Sequence, residues 1–257
     1  MDPATSSPPE AITQIIYLSI PADKTLNDAQ SYCGGLWTTA LDLIESSEGF
    51  RRLYWGRCLE QPEDVQLHVV RQTLNYHEIF RKSQAQTQLT ALLHALGSSG
   101  SSNPIKAIRY VAMQDFTPNS QALGKGAPFT GSAIYLNPTA AWHEGAWPLW
   151  THIVRYIDGC MGCCGGQILG GVELMGEPTY AGEVKVEGEK MERWEKEKWE
   201  GYLVYVGWES VDKHEAYHHT KHFAQHRVIL GCGNAGFAEY GHVVFEGSRD
   251  SKSIARL

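Results

Sequence analysis

The pattern of apolar and polar positions in the first part of the chain predicts four strands and two helices. Runs rich in β-branched and aromatic residues, bounded by Pro, Gly or Ser, are typical of strands, whereas apolar positions that recur every three or four residues are typical of helices. The predicted strands cover residues 12–20, 52–57, 65–70 and 105–116, and the predicted helices run from 27–28 through 44 and from 74 to 96. The predicted order is therefore β-α-β-β-α-β.

The second part of the chain repeats this order. Strands are predicted at residues 132–136, 167–175, 202–208 and 237–245, and helices at 142–157 and from 213 to about 230. Pro148 lies inside the first of these helices, and it predicts a kink or a late helix start because proline has no N–H to donate.

An internal repeat supports the same division of the chain. Residues 70–80 align without a gap on residues 207–217, and a His-Glu pair occupies the same place in both copies. An aromatic residue follows this pair two positions later, Phe80 in the first copy and Tyr217 in the second. We infer that one structural unit has been used twice.

The repeats predict an α+β fold built from two tandem ferredoxin-like units. A four-stranded antiparallel sheet with helices on one face leaves its other face apolar, and two such sheets can close into a barrel that removes the free edges. Since one chain carries both units, we expect a monomer that forms an intrachain pseudo-dimeric α+β barrel. Further association into a homodimer stays open.

The predicted domain organisation has five parts. They are a disordered tail at residues 1–11, a first barrel half at 12–117, a linker at 118–131, and a second half at 132–257 that contains a charged insertion at 176–201. A run of Glu and Lys is most often a solvated hairpin or helical excursion. The alternative is a lid over a site, because Trp194 and Trp199 in this segment are costly to leave in water.

Composition excludes several classes of function. The 257 residues carry a net charge of -7, which argues against nucleic acids and anionic membranes as partners because phosphate binding needs concentrated Lys and Arg. No apolar run approaches the ~20 residues that a membrane-spanning helix needs. The N-terminus lacks the basic and apolar regions of a signal peptide, so we expect a cytoplasmic protein whose six cysteines are reduced.

Two groups of residues suggest a metal, and we expect neither to hold one. Residues 214–218 read His-Glu-Ala-Tyr-His and match the H-E-x-x-H pattern, in which two histidines one turn apart bind zinc. The first copy has no second histidine, and no third ligand lies at a typical spacing. Cys160, Cys163 and Cys164 have no second cysteine pair, so they are interpreted as small buried or loop thiols. Nor does any glycine motif of the nucleotide-binding type follow a strand into a helix.

The helix predicted from residue 213 carries an unusual number of histidines. On a regular helix one arc holds Ala216, Tyr217, Thr220, Phe223, Ala224 and Val228, and the opposite arc holds His214, His218, His219, His222 and His226. If the helix is regular, most of these histidines form a solvated face.

Two short motifs resemble a known superfamily. They are Leu53-Tyr54-Trp55-Gly56 before a short turn, and Trp208-Glu209-Ser210-Val211 running into a helix with Tyr217. Both are similar to the dimeric α+β barrel proteins, also called antibiotic-biosynthesis-monooxygenase-like or stress-responsive A/B barrel proteins. The resemblance is strongest to the plant polyketide cyclases, and the tandem arrangement resembles fungal proteins of secondary metabolism. This superfamily contains cofactor-free oxygenases, cyclases, decarboxylases and proteins without known chemistry.

The resemblance also implies a site in the second half. It places Tyr217 on the catalytic tyrosine of the plant cyclases, and His222 on the catalytic histidine if one residue is dropped near Thr220. Barrels of this superfamily commonly break the helix after the tyrosine and turn the following histidine into the cavity. A substrate would lie against Tyr205, Trp208, Tyr240 and Trp150.

Three functions remain from the sequence. The leading hypothesis is a cofactor-free cyclase or isomerase that folds a hydrophobic polyketide or terpenoid intermediate for intramolecular cyclisation, including a [4+2] cycloaddition. The second is a cofactor-independent monooxygenase acting on a phenolic or anthrone-like substrate. The third is a non-catalytic binding module of the stress response, which a filled core in place of an open pocket would favour.

Overall fold

A computed structural model of the protein describes residues 11–97, 103–170, 172, 179–180, 199–235 and 237–251. The tail predicted at residues 1–11 lies outside the described residues except for its last position. Most of the charged insertion predicted at 176–201, including Trp194, also lies outside them. Trp199 is described, and it packs beside Val172 against the interior of the barrel.

The first half contains the predicted β-α-β-β-α-β order. Its elements are β1 (Ile12–Ser19), α1 (Tyr32–Glu45), β2 (Phe50–Cys58), β3 (Asp64–Arg71), α2 (Leu74–Arg81), α3 (Gln84–Leu96), β4 (Ile105–Val111) and the short β5 (Gln114–Asp115). The first helix begins later than predicted, because the Ser31 Oγ accepts a hydrogen bond from the Gly34 N–H and fixes the N-terminus there. The helix predicted at 74–96 is two helices, since Ser83 caps a new one in the same way through the Gln86 N–H.

The second half follows the same order. Its elements are β6 (Phe129–Leu136), a π-helical turn (Trp142–Ala146), α4 (Trp147–Val154), β7 (Cys160–Leu169), the short β8 (Thr179–Tyr180), β9 (Gly201–Trp208), α5 (Val211–His218), α6 (Lys221–His226), a 3-10 turn (Arg227–Gly231) and β10 (Phe237–Asp250). Pro148 lies in the first turn of α4, where a missing N–H costs little. Several boundaries differ from the prediction: β7 begins at Cys160 instead of residue 167, β6 begins inside the predicted linker, and β10 extends to Asp250 instead of residue 245.

The strands form a closed antiparallel ring. The first half runs β2-β3-β1-β4 and the second runs β7-β9-β6-β10, so the fourth strand of each half pairs with the second strand of the other. One junction is long, from Val243 opposite Cys58 to Asp250 opposite Arg52. The other joins β4 to β7 through Tyr110–Leu169 and Val111–Ile168, and β5 adds Gln114–Gly165 and Asp115–Cys164. The predicted α+β fold of two tandem units is confirmed.

Three apolar cores follow from the two faces of this ring. Alternate residues of every strand face the interior, where Ile15, Tyr54 and Tyr205 lie together. The other residues face outward and are covered by the helices of their own half: one layer centres on Trp37 and the leucines of α3, and the other on Trp142, Trp147 and Trp150. No helix within the described ranges has the length and apolar character needed to cross a bilayer.

Candidate functional site

A cavity of about 410 Å³ lies between the second half of the ring and its helices. Its walls are mainly aromatic and aliphatic, which is typical of sites for small hydrophobic ligands. The aromatic and histidine side chains that line it are Tyr135, Trp147, Trp150, Trp208, Tyr217, Phe223, Tyr240, His214, His218 and His242. This cavity contains three of the four predicted substrate contacts and the predicted catalytic tyrosine.

Strand β9 decides which of its aromatic residues reach the cavity. Val204, Val206 and Trp208 alternate along the strand and line the cavity. Tyr205 was predicted to line it too, and this is wrong: it lies three positions before Trp208, so it is on the opposite face of the strand and points into the barrel. There its hydroxyl donates a hydrogen bond to Gln66 Oε1 at 3.0 Å.

The other two predicted contacts lie at different depths. Trp150 is 4% exposed and forms an inner wall, with its ring 6.2 Å from that of Tyr217. Tyr240 is 49% exposed and lies at the mouth on β10. Trp208, at the end of β9, is 2% exposed, and its ring lies 5.6 Å from that of Tyr217. The predicted tyrosine is thus enclosed by the two tryptophans.

Helix α5 presents Tyr217 to the cavity. The helix begins at Ser210, whose Oγ accepts a hydrogen bond from the Lys213 N–H, and Tyr217 lies two turns later. The tyrosine is 3% exposed, and burial raises the pKa of its hydroxyl above the usual value. The hydroxyl therefore stays protonated at neutral pH and can donate a hydrogen bond to a ligand.

The helix predicted from 213 to 230 is broken directly after this tyrosine. α5 ends at His218, and Thr220 starts α6 by accepting a hydrogen bond from the Phe223 N–H at 3.0 Å. The continuous helix and its two arcs were therefore wrong predictions. Ala224 and Val228, placed on the same arc as Tyr217, are exposed.

His222 lies on the first turn of α6 beside the tyrosine. Its Nδ1 is 3.4 Å from the Tyr217 Oη, which is long for a hydrogen bond from a hydroxyl, and its ring is 4.3 Å from that of His226. It is not among the residues that form the cavity wall. The structure thus brings the two predicted catalytic side chains together and places the histidine behind the tyrosine.

A cluster of three histidines forms part of the cavity wall. The His214 ring lies 4.4 Å from that of His218 and 5.1 Å from that of His242, and it also packs against Trp208 at 5.0 Å. The His242 Nδ1 contacts the carboxylate of Glu60 in the first half. Burial, together with the two neighbouring imidazoles, lowers the pKa of His214 to about 3. His214 is thus neutral at physiological pH.

Reasoning from the sequence missed this cluster, because a regular helix places His214 and His218 on a solvated face. The signal that could have found His214 is the repeat, in which it aligns with His77, a histidine that is 2% exposed. In the described part of the chain, no three His, Cys, Asp or Glu side chains are arranged to hold a metal ion. The H-E-x-x-H pattern places the two imidazoles side by side, with ring centroids 4.4 Å apart.

Comparisons with solved structures relate the whole chain to one architecture. An anthrone oxidase-like protein matches 95% of this chain and 94% of its own, with a TM-score of 0.59 and 11% identity. A candidate monooxygenase of Fusobacterium nucleatum matches 94% and 95%, with a TM-score of 0.54 and 9% identity. A candidate monooxygenase of Lactobacillus acidophilus matches 94% and 97%, with a TM-score of 0.52 and 11% identity.

The shared feature is the α+β barrel fold. At these identities the likeness extends to the fold and to no particular reaction. No protein-family model matches the chain, and a comparison with curated protein sequences finds no significant match. The α+β barrel of this chain is closed by its own two halves, and the cavity beneath the helices of the second half is its candidate site.

Proposed function

We propose that the protein is a cofactor-free cyclase or isomerase that binds a hydrophobic polyketide or terpenoid intermediate in this cavity. The observation that carries the proposal is the buried Tyr217 hydroxyl in a cavity of about 410 Å³ with aromatic walls. A volume of this size suits a small organic ligand. It also favours ligand binding over the alternative of a module with a filled core.

The first contribution to catalysis is the shape of the cavity. Trp150 and Trp208 are both almost fully buried, so their rings are held in place and can confine a flexible chain to a folded conformer. Intramolecular reactions between well-oriented groups gain several kcal/mol in this way. A pericyclic cyclisation needs no proton transfer and could proceed on this contribution together with a single hydrogen bond.

The second contribution is the hydrogen bond that Tyr217 donates to a substrate carbonyl oxygen. Negative charge that develops on this oxygen during cyclisation strengthens the bond, so the transition state is stabilised more than the bound substrate. His222 contacts the tyrosine hydroxyl and not the cavity, so its role is to orient Tyr217 or to exchange a proton with it. His214 supplies a neutral acceptor on the same face of α5, three residues before Tyr217.

The test compares the protein with the Tyr217→Phe variant. Both are incubated with metabolite extracts of a polyketide-producing fungus, and mass spectrometry with chromatography follows which compound changes its retention without changing its mass. We expect the unaltered protein to isomerise such a compound and the variant to do so far more slowly. Equal product formation by the two proteins would remove Tyr217 from the mechanism.

A second candidate function is cofactor-independent oxygenation of a phenolic or anthrone-like substrate. The observation that favours it is the neutral His214 imidazole in the cavity wall, which can accept a hydrogen bond from the hydroxyl of a phenol or of an enolised anthrone. The anion that such a substrate forms by ionising in solution is electron-rich enough to react with dioxygen directly. Oxygen uptake in the presence of anthrone, measured with an electrode, separates the two candidates, because cyclisation consumes no oxygen.

A further inference from the structure

Two cysteines of strand β7 are brought together in a way that a regular strand forbids. Cys160 and Cys163 are three residues apart, so on a regular strand they would lie on opposite faces with their Cα atoms about 10 Å apart. Both instead pack into the apolar layer under the helices of the second half. The two thiols therefore lie on the same face of the strand.

A β-bulge accounts for this arrangement. Trp208 pairs with Cys160 and Gly207 pairs with Gly162, so Met161 has no partner across the strand and the face of the following residues is reversed. Gly162 has a φ of 119°, and a Cβ on it would approach the Ser120 Cα to 2.7 Å. The bulge therefore depends on glycine, both for its backbone angle and for its packing.

The two thiols differ in the way a reactive pair requires. Cys160 is partly exposed, whereas Cys163 is fully buried. The interaction between the two thiols lowers the pKa of Cys160 and raises that of Cys163. Cys160 is thus the accessible nucleophile, and Cys163 is the adjacent thiol that can resolve an oxidised product.

We propose that Cys160 and Cys163 form a redox-active pair that closes to a disulfide when hydrogen peroxide reaches Cys160. The Cys160 thiolate attacks one peroxide oxygen, the O–O bond breaks, and the other oxygen leaves as water after taking a proton. Cys163 then attacks the sulfur of the Cys160 sulfenic acid, the S–O bond breaks, and the oxygen leaves as a second water with the thiol proton. In total two thiols are oxidised and one peroxide is reduced to two waters.

The pair lies beside the proposed catalytic tyrosine. Cys163 and Tyr217 belong to the same buried cluster, and charge on either thiol raises the pKa of the tyrosine hydroxyl. Closing the disulfide joins both sides of the bulge at this place. The inference does not depend on the proposed reaction, since it concerns the thiols alone.

The test treats the folded full-length protein with hydrogen peroxide, then denatures it, alkylates free thiols and digests it with trypsin. The fragment of residues 156–185 contains Cys160, Cys163 and Cys164. We expect the mass of this fragment to fall by two hydrogen atoms and the fragment to carry one alkyl group. Reduction with dithiothreitol before alkylation should restore three alkyl groups. Alkylation of all three cysteines after peroxide treatment would overturn the proposal.

Three variants identify the pair. Cys164→Ala is the matched control, because Cys164 is as buried as Cys163 but faces the barrel interior, and this variant should still lose two hydrogen atoms. Cys163→Ala and Cys160→Ala should each abolish the loss. If Cys163→Ala fails to fold, the partly exposed Cys160→Ala carries the test. A fragment disulfide that persists in either of these variants, or a disulfide-linked dimer on a non-reducing gel in place of the internal disulfide, would contradict the assignment.

Discussion

The two halves of the ring share one topology but differ beneath their helices: the second has a cavity of about 410 Å³, whereas the pocket beside the aligned Phe80 in the first is about 200 Å³. In the first half, α3 is 13 residues long and buries Leu89, Leu93 and Leu96 against the sheet. In the second half, α6 has six residues and none of them is buried. The difference shows that the fold provides a helix layer in each copy, and that the length of one helix decides whether this layer is filled.

Side chains at aligned positions of the two halves differ in the same way, with those of the first half engaged in internal contacts and those of the second facing the cavity. Arg71 takes the place of Trp208 and is fully buried, with its guanidinium 4.4 Å from the Phe80 ring. Its Nη1 contacts His77 Nδ1 at 3.2 Å, and the other His77 nitrogen contacts the Ile12 carbonyl oxygen at 2.9 Å. Among the residues that the structure describes, none hydrogen-bonds to the aligned His214 ring. The histidine that supports the backbone in one copy is therefore available to a ligand in the other.

The largest effect expected from this comparison concerns the aromatic residue after the His-Glu pair. Tyr217→Phe should lower turnover about 10²–10³-fold, because it removes a hydrogen-bond donor to developing charge. The matched control is Phe80→Tyr in the first half, which adds the same hydroxyl outside the cavity and should leave turnover unchanged. The rates of both variants with the substrate found above measure the difference. A loss of activity in Phe80→Tyr equal to that in Tyr217→Phe would show that the two halves are functionally alike.

The filled and hollow layers should also differ in their response to truncation. Leu93→Ala should reduce the free energy of unfolding by about 2–5 kcal/mol, because this leucine is 1% exposed in a packed core. Leu230→Ala, in the cavity wall, should cost less because its side chain is already partly open to solvent. Urea unfolding followed by circular dichroism measures both. Equal losses would mean that the cavity is closed in solution.

A smaller effect is expected from adding volume at one aligned pair of strand positions. Val69→Phe should destabilise the protein by about 1–3 kcal/mol, since the side chain is 1% exposed in a filled core. Val206→Phe points into the cavity and should be tolerated, but it should weaken ligand binding by occupying the space. Thermal unfolding and ligand titration test the pair. If Val206→Phe lost much stability and Val69→Phe did not, the open space would have to lie in the first half instead of the second.

The smallest effect near neutral pH is expected from replacing His214, because this residue acts on the pH dependence of stability. The pKa of His214 is about 3 in the folded protein and near 6.5 in the unfolded chain. Between these values the unfolded chain binds the proton and the folded protein does not, so stability falls as the pH drops from 6.5 towards 3. His214→Gln should make this fall less steep. Urea midpoints of the variant and of the unaltered protein across this range measure the change, and equal slopes would contradict the prediction.

Much of the fold could be predicted from local pattern. The periods of strands and helices, and the gap-free repeat of residues 70–80 at 207–217, can be recognised from residues that are close together in the sequence. The position of Tyr205 could have been predicted from the sequence as well, because residues three positions apart on a strand, such as Tyr205 and Trp208, point to opposite faces. The break in the histidine helix, which the resemblance already implied, could also have been predicted from Thr220, because threonine is favoured at the N-cap. The cavity was not, because it depends on volumes contributed by β6, β9, β10 and three helices that are distant in sequence.

The ring closure has a consequence for how the protein folds. β10 follows every other strand in the chain, yet it pairs with β2, and its Asp250 lies opposite Arg52. Neither half can complete its edge until this strand arrives, so the first half must wait with an open edge during synthesis. Contacts of such long sequence separation slow folding and expose the intermediate to aggregation. We therefore expect refolding of this tandem chain to be limited by the docking of β10 onto β2.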